Sequence, residues 1–107
     1  MKVLMAAGLM ALLLAAEASA KDALCETTDD LAYPCTFEVL DDAGSFEISA
    51  KGKPTYQVWV DAPGLATVGA VFEPGGRSVA LPGVYHRSED DGACWVSDAT
   101  GTQICAW

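Results

Sequence analysis

The chain has 107 residues, of which 15 are acidic and 6 basic, so its formal net charge is −9 at pH 7. A charge of this sign repels nucleic acid and anionic lipid headgroups, and it attracts cationic partners over a Debye length of about 8 Å. We therefore expect the protein to bind neither nucleic acid nor a membrane, whereas its charge favours a cationic protein as a partner. The alternative is that the acidic residues only keep a small domain in solution.

Residues 1–20 have the pattern of a cleaved secretory leader. Lys2 supplies the positive start, the run from Val3 to Ala16 is apolar, and Ala18-Ser19-Ala20 is the small-x-small pattern that precedes cleavage. The apolar run is shorter than the ~18 residues of a membrane-spanning helix, so export without a membrane anchor is predicted. Residues 21–107 are too few for two domains and predict a single one.

The first cysteine argues against a lipid anchor. Lipid attachment needs a cysteine directly behind the small residues of the cleavage site, and Cys25 instead follows Leu24. We therefore expect a free soluble protein that is periplasmic or secreted. No motif specifies a cofactor, and none is predicted.

Four cysteines in an exported chain of this size predict two disulfides, because the compartment is oxidising. Residues 98–101 have the composition of a hairpin turn, and a hairpin centred there places Cys94 opposite Cys105. Cys25 and Cys35 then remain to close the first loop. Metal ligation is the other interpretation, but neither pair has the two-to-four-residue spacing of a zinc site.

The rest of the chain predicts an all-β fold. Turn signals with Pro or Gly recur at short intervals, and the stretches between them are rich in β-branched and aromatic residues that alternate with period two. We predict a small antiparallel sandwich or barrel of about 7–8 short strands, stapled by two disulfides. The segment from Glu26 to Leu31 could hold a helical turn. The predicted strands are Thr36 to Leu40, Ser45 to Ala50, Thr55 to Val60, Leu65 to Phe72, Arg77 to Leu81, Val84 to Ser88 and the two arms of the terminal hairpin.

Two tryptophans are candidate contact residues. Trp59 has the parity of Gln57 and Asp61, the polar side of its strand, which predicts an outward-facing ring. Trp107 is the last residue of the sequence. Exposed rigid aromatics commonly anchor interfaces. The alternative is that Trp59 packs beneath a loop or against a second sheet.

The acidic run Glu89-Asp90-Asp91 supplies the other candidate binding residues. A solvated loop explains such a run, and so does a surface that attracts a cationic protein. Calcium ligation is a further alternative, but adjacent acids converge less readily than acids at alternate positions. We therefore predict no metal site.

His86, the only histidine, raises the hypothesis of hydrolysis. It lies on the same side of its predicted strand as Ser88, and the carboxylates of Glu89, Asp90 and Asp91 follow in the sequence. Catalytic groups are usually assembled from separated elements, and no nucleophile-elbow pattern is present. Hydrolysis is therefore the third hypothesis, after two that need no catalysis.

The C-terminal third resembles two groups of proteins. Glu73 to Val79, Leu81 to Tyr85 and Ala93 to Gly101 are similar to a pattern in small uncharacterised secreted bacterial proteins, which implies no function. The leader, a disulfide and Leu81-Pro82 ahead of an aromatic strand resemble the small periplasmic barrels that inhibit C-type lysozymes. Those inhibitors carry a Ser-Gly-x-x-Tyr segment that enters the enzyme, and Gly83 to Ser88 replaces it here. No inhibitory residue is therefore carried over.

Two functions of different classes remain. The first is an exported, acidic, non-catalytic binding or inhibitory module that presents acidic loops and Trp59 to a cationic protein, with salt-sensitive association. The second is a structural or accessory protein that its tryptophans hold in an envelope complex. The sequence leaves the oligomeric state open.

Overall fold

The computed structural model describes residues 20–107, which form nine β-strands and no helix. The predicted leader, except for Ala20, lies outside the described residues. The strands are β1 (Ala20–Thr27), β2 (Tyr33–Val39), β3 (Phe46–Ser49), β4 (Thr55–Ala62), β5 (Leu65–Val71), β6 (Val79–Ala80), β7 (Tyr85–Arg87), β8 (Cys94–Ser97) and β9 (Gln103–Ala106).

Eight of these strands close an antiparallel barrel. Their order is β4-β3-β2-β1-β9-β8-β7-β5, and the pairing of β4 with β5 completes the ring. β6 adds a short ninth strand to β5. The predicted all-β antiparallel fold is confirmed, and of the two predicted architectures the barrel is the one that forms. A closed barrel gives nearly every strand two hydrogen-bonded neighbours and so removes exposed sheet edges.

β1 is the strand that the sequence did not predict. It pairs with β2 from Ala20↔Glu38 to Cys25↔Tyr33, and with β9 from Cys25↔Ala106 to Thr27↔Ile104. The suggested helical turn from Glu26 to Leu31 is wrong, because Glu26 and Thr27 extend β1 along β9. The chain then turns back through a tight loop rather than a helix.

The barrel interior holds the hydrophobic core. Residues alternate in and out along the eight barrel strands, so one face of each of these strands contributes to a single closed cluster. Three tyrosines belong to it, and burial above all raises the pKa of Tyr33, Tyr56 and Tyr85 above 10.0. The largest fully buried side chains are those of Trp95, Tyr85, Ile48, Ile104 and Val58.

Both predicted disulfides are confirmed. Cys94 lies directly opposite Cys105, with 4.0 Å between their Cα atoms, in the register that the turn at residues 98–101 predicts. Cys25 bonds to Cys35 across β1 and β2, with Cα atoms 5.9 Å apart and both side chains buried inside the barrel. Two disulfides in a domain of this size are consistent with an oxidising, extracytoplasmic compartment.

β6 and β7 lie end to end along one edge of β5. β6 pairs through Gly69↔Ala80 and β7 through Leu65↔His86. Pro82-Gly83 separates them, since proline lacks an amide hydrogen and Gly83 takes a φ of 89° that favours glycine. The side chain of Ser97 donates a hydrogen bond to the Pro82 carbonyl oxygen at 2.8 Å, which fixes this break against the end of β8.

Candidate functional site: the acidic end of the barrel

Two acidic loops meet at one end of the barrel. β2, β7 and β9 run in the same direction, because an even number of antiparallel pairings separates them. The loop after β2 (residues 40–45), the loop after β7 (residues 88–93) and Trp107 after β9 therefore lie at the same end. We call these three segments the acidic end.

The β2–β3 loop is organised by Asp41. Its carboxylate accepts hydrogen bonds from the amides of Ala43 at 2.9 Å and Ser45 at 3.0 Å. Hydrogen bonds from Ser45 are the main cause that lowers the pKa of Asp41 below 3.8. The Ser45 hydroxyl oxygen in turn accepts the Val60 amide at 2.8 Å, which ties the loop to β4. Asp42 is exposed at the tip.

The β7–β8 loop is organised by Ser88 and Asp91. The Ser88 hydroxyl oxygen accepts the amides of Asp90 at 3.1 Å and Asp91 at 3.4 Å. The Asp91 carboxylate accepts the Ala93 amide at 2.9 Å. These bonds fix the backbone and leave the side chains of Glu89 and Asp90 exposed to solvent.

Trp107 and Asp91 are brought together by the fold. The Trp107 indole N–H donates to the second oxygen of the Asp91 carboxylate at 2.9 Å. The backbone of Trp107 exchanges two hydrogen bonds with Leu24, of 3.1 and 2.8 Å. The indole remains 49% exposed. Four of the five candidate binding residues, Trp107, Glu89, Asp90 and Asp91, therefore share the acidic end.

Carboxylates outnumber cations at this end. The carboxylates there belong to Asp22, Glu38, Asp41, Asp42, Asp61, Glu89, Asp90 and Asp91, and the cations are Lys21 and Arg87. Lys51, Lys53 and Arg77, the other cations of residues 20–107, lie at the opposite end, where Lys53 forms an ion pair with Asp30 at 3.0 Å. That end carries the carboxylates of Glu26, Asp29, Asp30, Glu73 and Asp98, so the net negative charge is larger at the acidic end.

Between the two loops the barrel interior opens into a pocket of about 180 Å³, which we call the mouth. Its walls are Phe37, Gly44, Phe46, Arg87, Gly92, Ala93, Trp95 and Ala106. The rings of Phe37 and Phe46 stack with centroids 4.9 Å apart. The Arg87 guanidinium lies 4.6 Å from the centre of the Trp95 ring and donates to the Gly92 carbonyl oxygen at 3.0 Å.

Trp59, the fifth candidate, lies on a different surface. It is 41% exposed on the outer wall of the barrel, where it faces Thr67 of β5. The predicted outward direction of its ring is therefore correct. The fold places Trp59 on the wall and not on either acidic loop.

His86 contacts Asp98 and not Ser88, the hydroxyl that the hydrolysis hypothesis would need as a nucleophile. Its Nε2 lies 3.2 Å from a carboxylate oxygen of Asp98, and both side chains are half exposed. The other oxygen of Asp98 accepts the Val84 amide at 3.0 Å. That bond, followed by the one with His86, lowers the pKa of Asp98 below 3.8. No hydrogen bond joins His86 to Ser88 within residues 20–107.

Sequence reasoning missed the mouth. Phe37, Phe46 and Trp95 carry the inward parity of their strands, a pattern that indicates core residues and gives no sign of an opening. Arg87 shares the inward parity of Tyr85, and a cation at an inward position beside a loop is the signal that could have marked an opening.

No family model, no curated protein and no solved structure matches this chain. The part of the chain that the structure describes contains no helix able to cross a membrane. Within it, no three histidine, cysteine or acidic residues are close enough to hold a metal ion.

Acid should destabilise the turns that Asp41 and Asp98 hold. The pKa of each carboxyl is depressed in the folded protein, so its stabilisation is present above 3.8 and is lost as the pH falls through the folded-state value. We expect the free energy of unfolding to fall below about pH 4. Urea titrations at several pH values measure this, and the double variant Asp41→Asn/Asp98→Asn should show a shallower decrease. An unchanged decrease in the variant would contradict the assignment.

Proposed function

We propose that the protein is an exported, non-catalytic binding or inhibitory module whose acidic end docks onto a cationic protein. The observation that carries the proposal is that some carboxylates of the two loops form hydrogen bonds within their loop and others form none. Asp41 and Asp91 bond to amides of their own loops, whereas Asp42, Glu89 and Asp90 are exposed and form no side-chain hydrogen bond or ion pair within residues 20–107. Those three carboxylates are available to a partner.

The scaffold supports this function because it holds the free charges in place. In each loop, backbone amides donate hydrogen bonds to side-chain oxygens of the same loop, and the Cys94–Cys105 disulfide lies directly after the β7–β8 loop. Ordering a loop before binding removes part of the entropy cost of association. A field of one sign also raises the rate of encounter with an oppositely charged partner.

The proposed location is the periplasm or the medium, as a soluble protein without a lipid anchor. The leader pattern of residues 1–20 and the two disulfides support it. Such compartments are where a binding module would meet basic secreted proteins. The resemblance to lysozyme inhibitors makes a C-type lysozyme the first cationic partner to test.

The second candidate is an accessory protein of an envelope complex. The observation that favours it is the separate exposure of Trp59, which is 41% exposed on the barrel wall and lies on neither acidic loop. Association through this ring would depend little on salt and would be weakened by Trp59→Ala. Docking through the acidic end would instead depend strongly on salt and would be unaffected by Trp59→Ala.

Neutralising the free carboxylates tests the proposal. We expect the triple variant Asp42→Asn/Glu89→Gln/Asp90→Asn to bind a C-type lysozyme at least about tenfold more weakly at low ionic strength, because three attractive charges are lost. Titration calorimetry or surface plasmon resonance measures the affinity.

The matched control neutralises three acids at the opposite end of the barrel. Glu26→Gln/Asp29→Asn/Glu73→Gln changes the net charge by the same amount away from the acidic end. Equal weakening by both triples would show that only net charge matters. Absence of binding by the unmodified protein at low salt would refute a lysozyme target.

A further inference from the structure

The mouth is lined by two kinds of residue. Its floor is aromatic, with Phe37, Phe46 and the nearly buried Trp95, whereas its rim consists of small residues, Gly44, Gly92, Ala93 and Ala106. A volume of about 180 Å³ is the space of roughly six water molecules. Interface anchors usually insert into depressions near the centre of a contact surface.

At position 92, which lies at the rim of the mouth, neither the backbone conformation nor the packing requires a glycine. Each of the other described glycines either has a positive φ or would bring a Cβ within 3.0 Å of a neighbouring atom. Gly92 has neither constraint: its φ is ordinary, and nothing lies within 4 Å of the position a Cβ would take. A side chain would be tolerated there, at the rim of the mouth.

Two cations restrict what can enter. The Arg87 guanidinium lies 4.6 Å from the centre of the Trp95 ring, and the Lys21 ammonium lies 5.3 Å from the centre of the Phe37 ring. Both would repel the charged end of an inserted lysine or arginine. An uncharged aromatic ring avoids this repulsion and can pack against the guanidinium and the accessible edges of the aromatic side chains.

We infer that the mouth receives an aromatic side chain of the cationic partner, inserted between the acidic loops while basic residues around it meet Asp42, Glu89 and Asp90. This inference rests on the proposed function. It assigns the two parts of the surface different tasks: the carboxylates provide long-range attraction, and the mouth provides the close contact. Anchors of this kind mainly slow dissociation, whereas peripheral charges mainly speed association.

The mouth can be tested without the partner. The probe is p-cresol, the side chain of tyrosine, titrated into the isotope-labelled protein while the indole N–H signals are followed by NMR. We expect the Trp95 signal to shift and saturate with a dissociation constant on the order of millimolar, as suits one small ring. The Trp59 signal on the barrel wall should not move. In the triple variant Asp42→Asn/Glu89→Gln/Asp90→Asn, where the free carboxylates no longer attract cations, benzylammonium should bind at least about tenfold more weakly than p-cresol because Arg87 and Lys21 repel it.

A blocking variant completes the test. Gly92→Leu should abolish the Trp95 shift, and an unchanged unfolding midpoint would show that the domain is intact. The triple Asp42→Asn/Glu89→Gln/Asp90→Asn should retain p-cresol binding even though it loses lysozyme binding, so the two proposals fail separately. No Trp95 shift, an equal shift at Trp59, or stronger binding of benzylammonium than of p-cresol by the triple variant would each overturn the inference.

Discussion

Removing the Cys25–Cys35 disulfide is expected to lower the free energy of unfolding by about 3 kcal/mol. The bond joins residues 10 positions apart and lies inside the barrel, where it links β1 to β2. Small domains are stable by only about 5–15 kcal/mol, so the loss is a large share of the total. The double variant Cys25→Ala/Cys35→Ala, compared with the unmodified protein by urea unfolding, measures it.

The second disulfide provides the matched comparison. Cys94 and Cys105 are 11 positions apart, so the constraint on the unfolded chain is nearly the same and Cys94→Ala/Cys105→Ala should also cost about 3 kcal/mol. A larger loss for the first pair would show that it also supports closure of the barrel by β1. Losses below about 1 kcal/mol for both pairs would contradict the expected stabilisation.

Gly83→Ala is expected to destabilise the domain by about 3 kcal/mol, because two costs add. Its φ of 89° is unfavourable for alanine. A Cβ there would also lie 2.6 Å from the Ser97 hydroxyl oxygen and 2.8 Å from the Ala99 Cβ. The same hydroxyl oxygen accepts the amides of Ala99 and Thr100, so the clash would disturb the turn before β9.

Gly52→Ala separates the two costs. Gly52 also has a positive φ, 79°, but nothing lies within 4 Å of its Cβ position, so only the conformational cost of about 1 kcal/mol is expected. Thermal and urea unfolding of both variants give the difference. Equal destabilisation would mean that the contacts around Gly83 relax without cost.

The parts of the fold that were predictable are those fixed by neighbours in the sequence. Residues 98–101 define a turn, the turn defines the register of its hairpin, and the register places Cys94 opposite Cys105. The outward direction of the Trp59 ring was predictable in the same way, because alternation along a single strand was enough to indicate it.

The parts that were missed depend on distant partners. β1 begins Ala-Lys-Asp-Ala-Leu, a segment of low β propensity, and it is extended because β2 and β9 bond to both of its edges. The shared location of the acidic loops depends on the directions of β2 and β7, which a list of strands does not give. The mouth is hidden for the same reason, since Phe37, Phe46 and Trp95 meet only after the barrel closes.

The pairing of β1 with β9 sets when this protein can fold. These strands come from the two ends of the described chain, and Leu24 and Trp107 bond to each other beside them. During synthesis β9 emerges after the other eight strands, so the ring cannot close before β9 has left the ribosome. Contacts between such distant segments also form slowly. Until β9 is available the barrel stays open, and an open chain is the state in which a newly made polypeptide can still be threaded through a narrow channel.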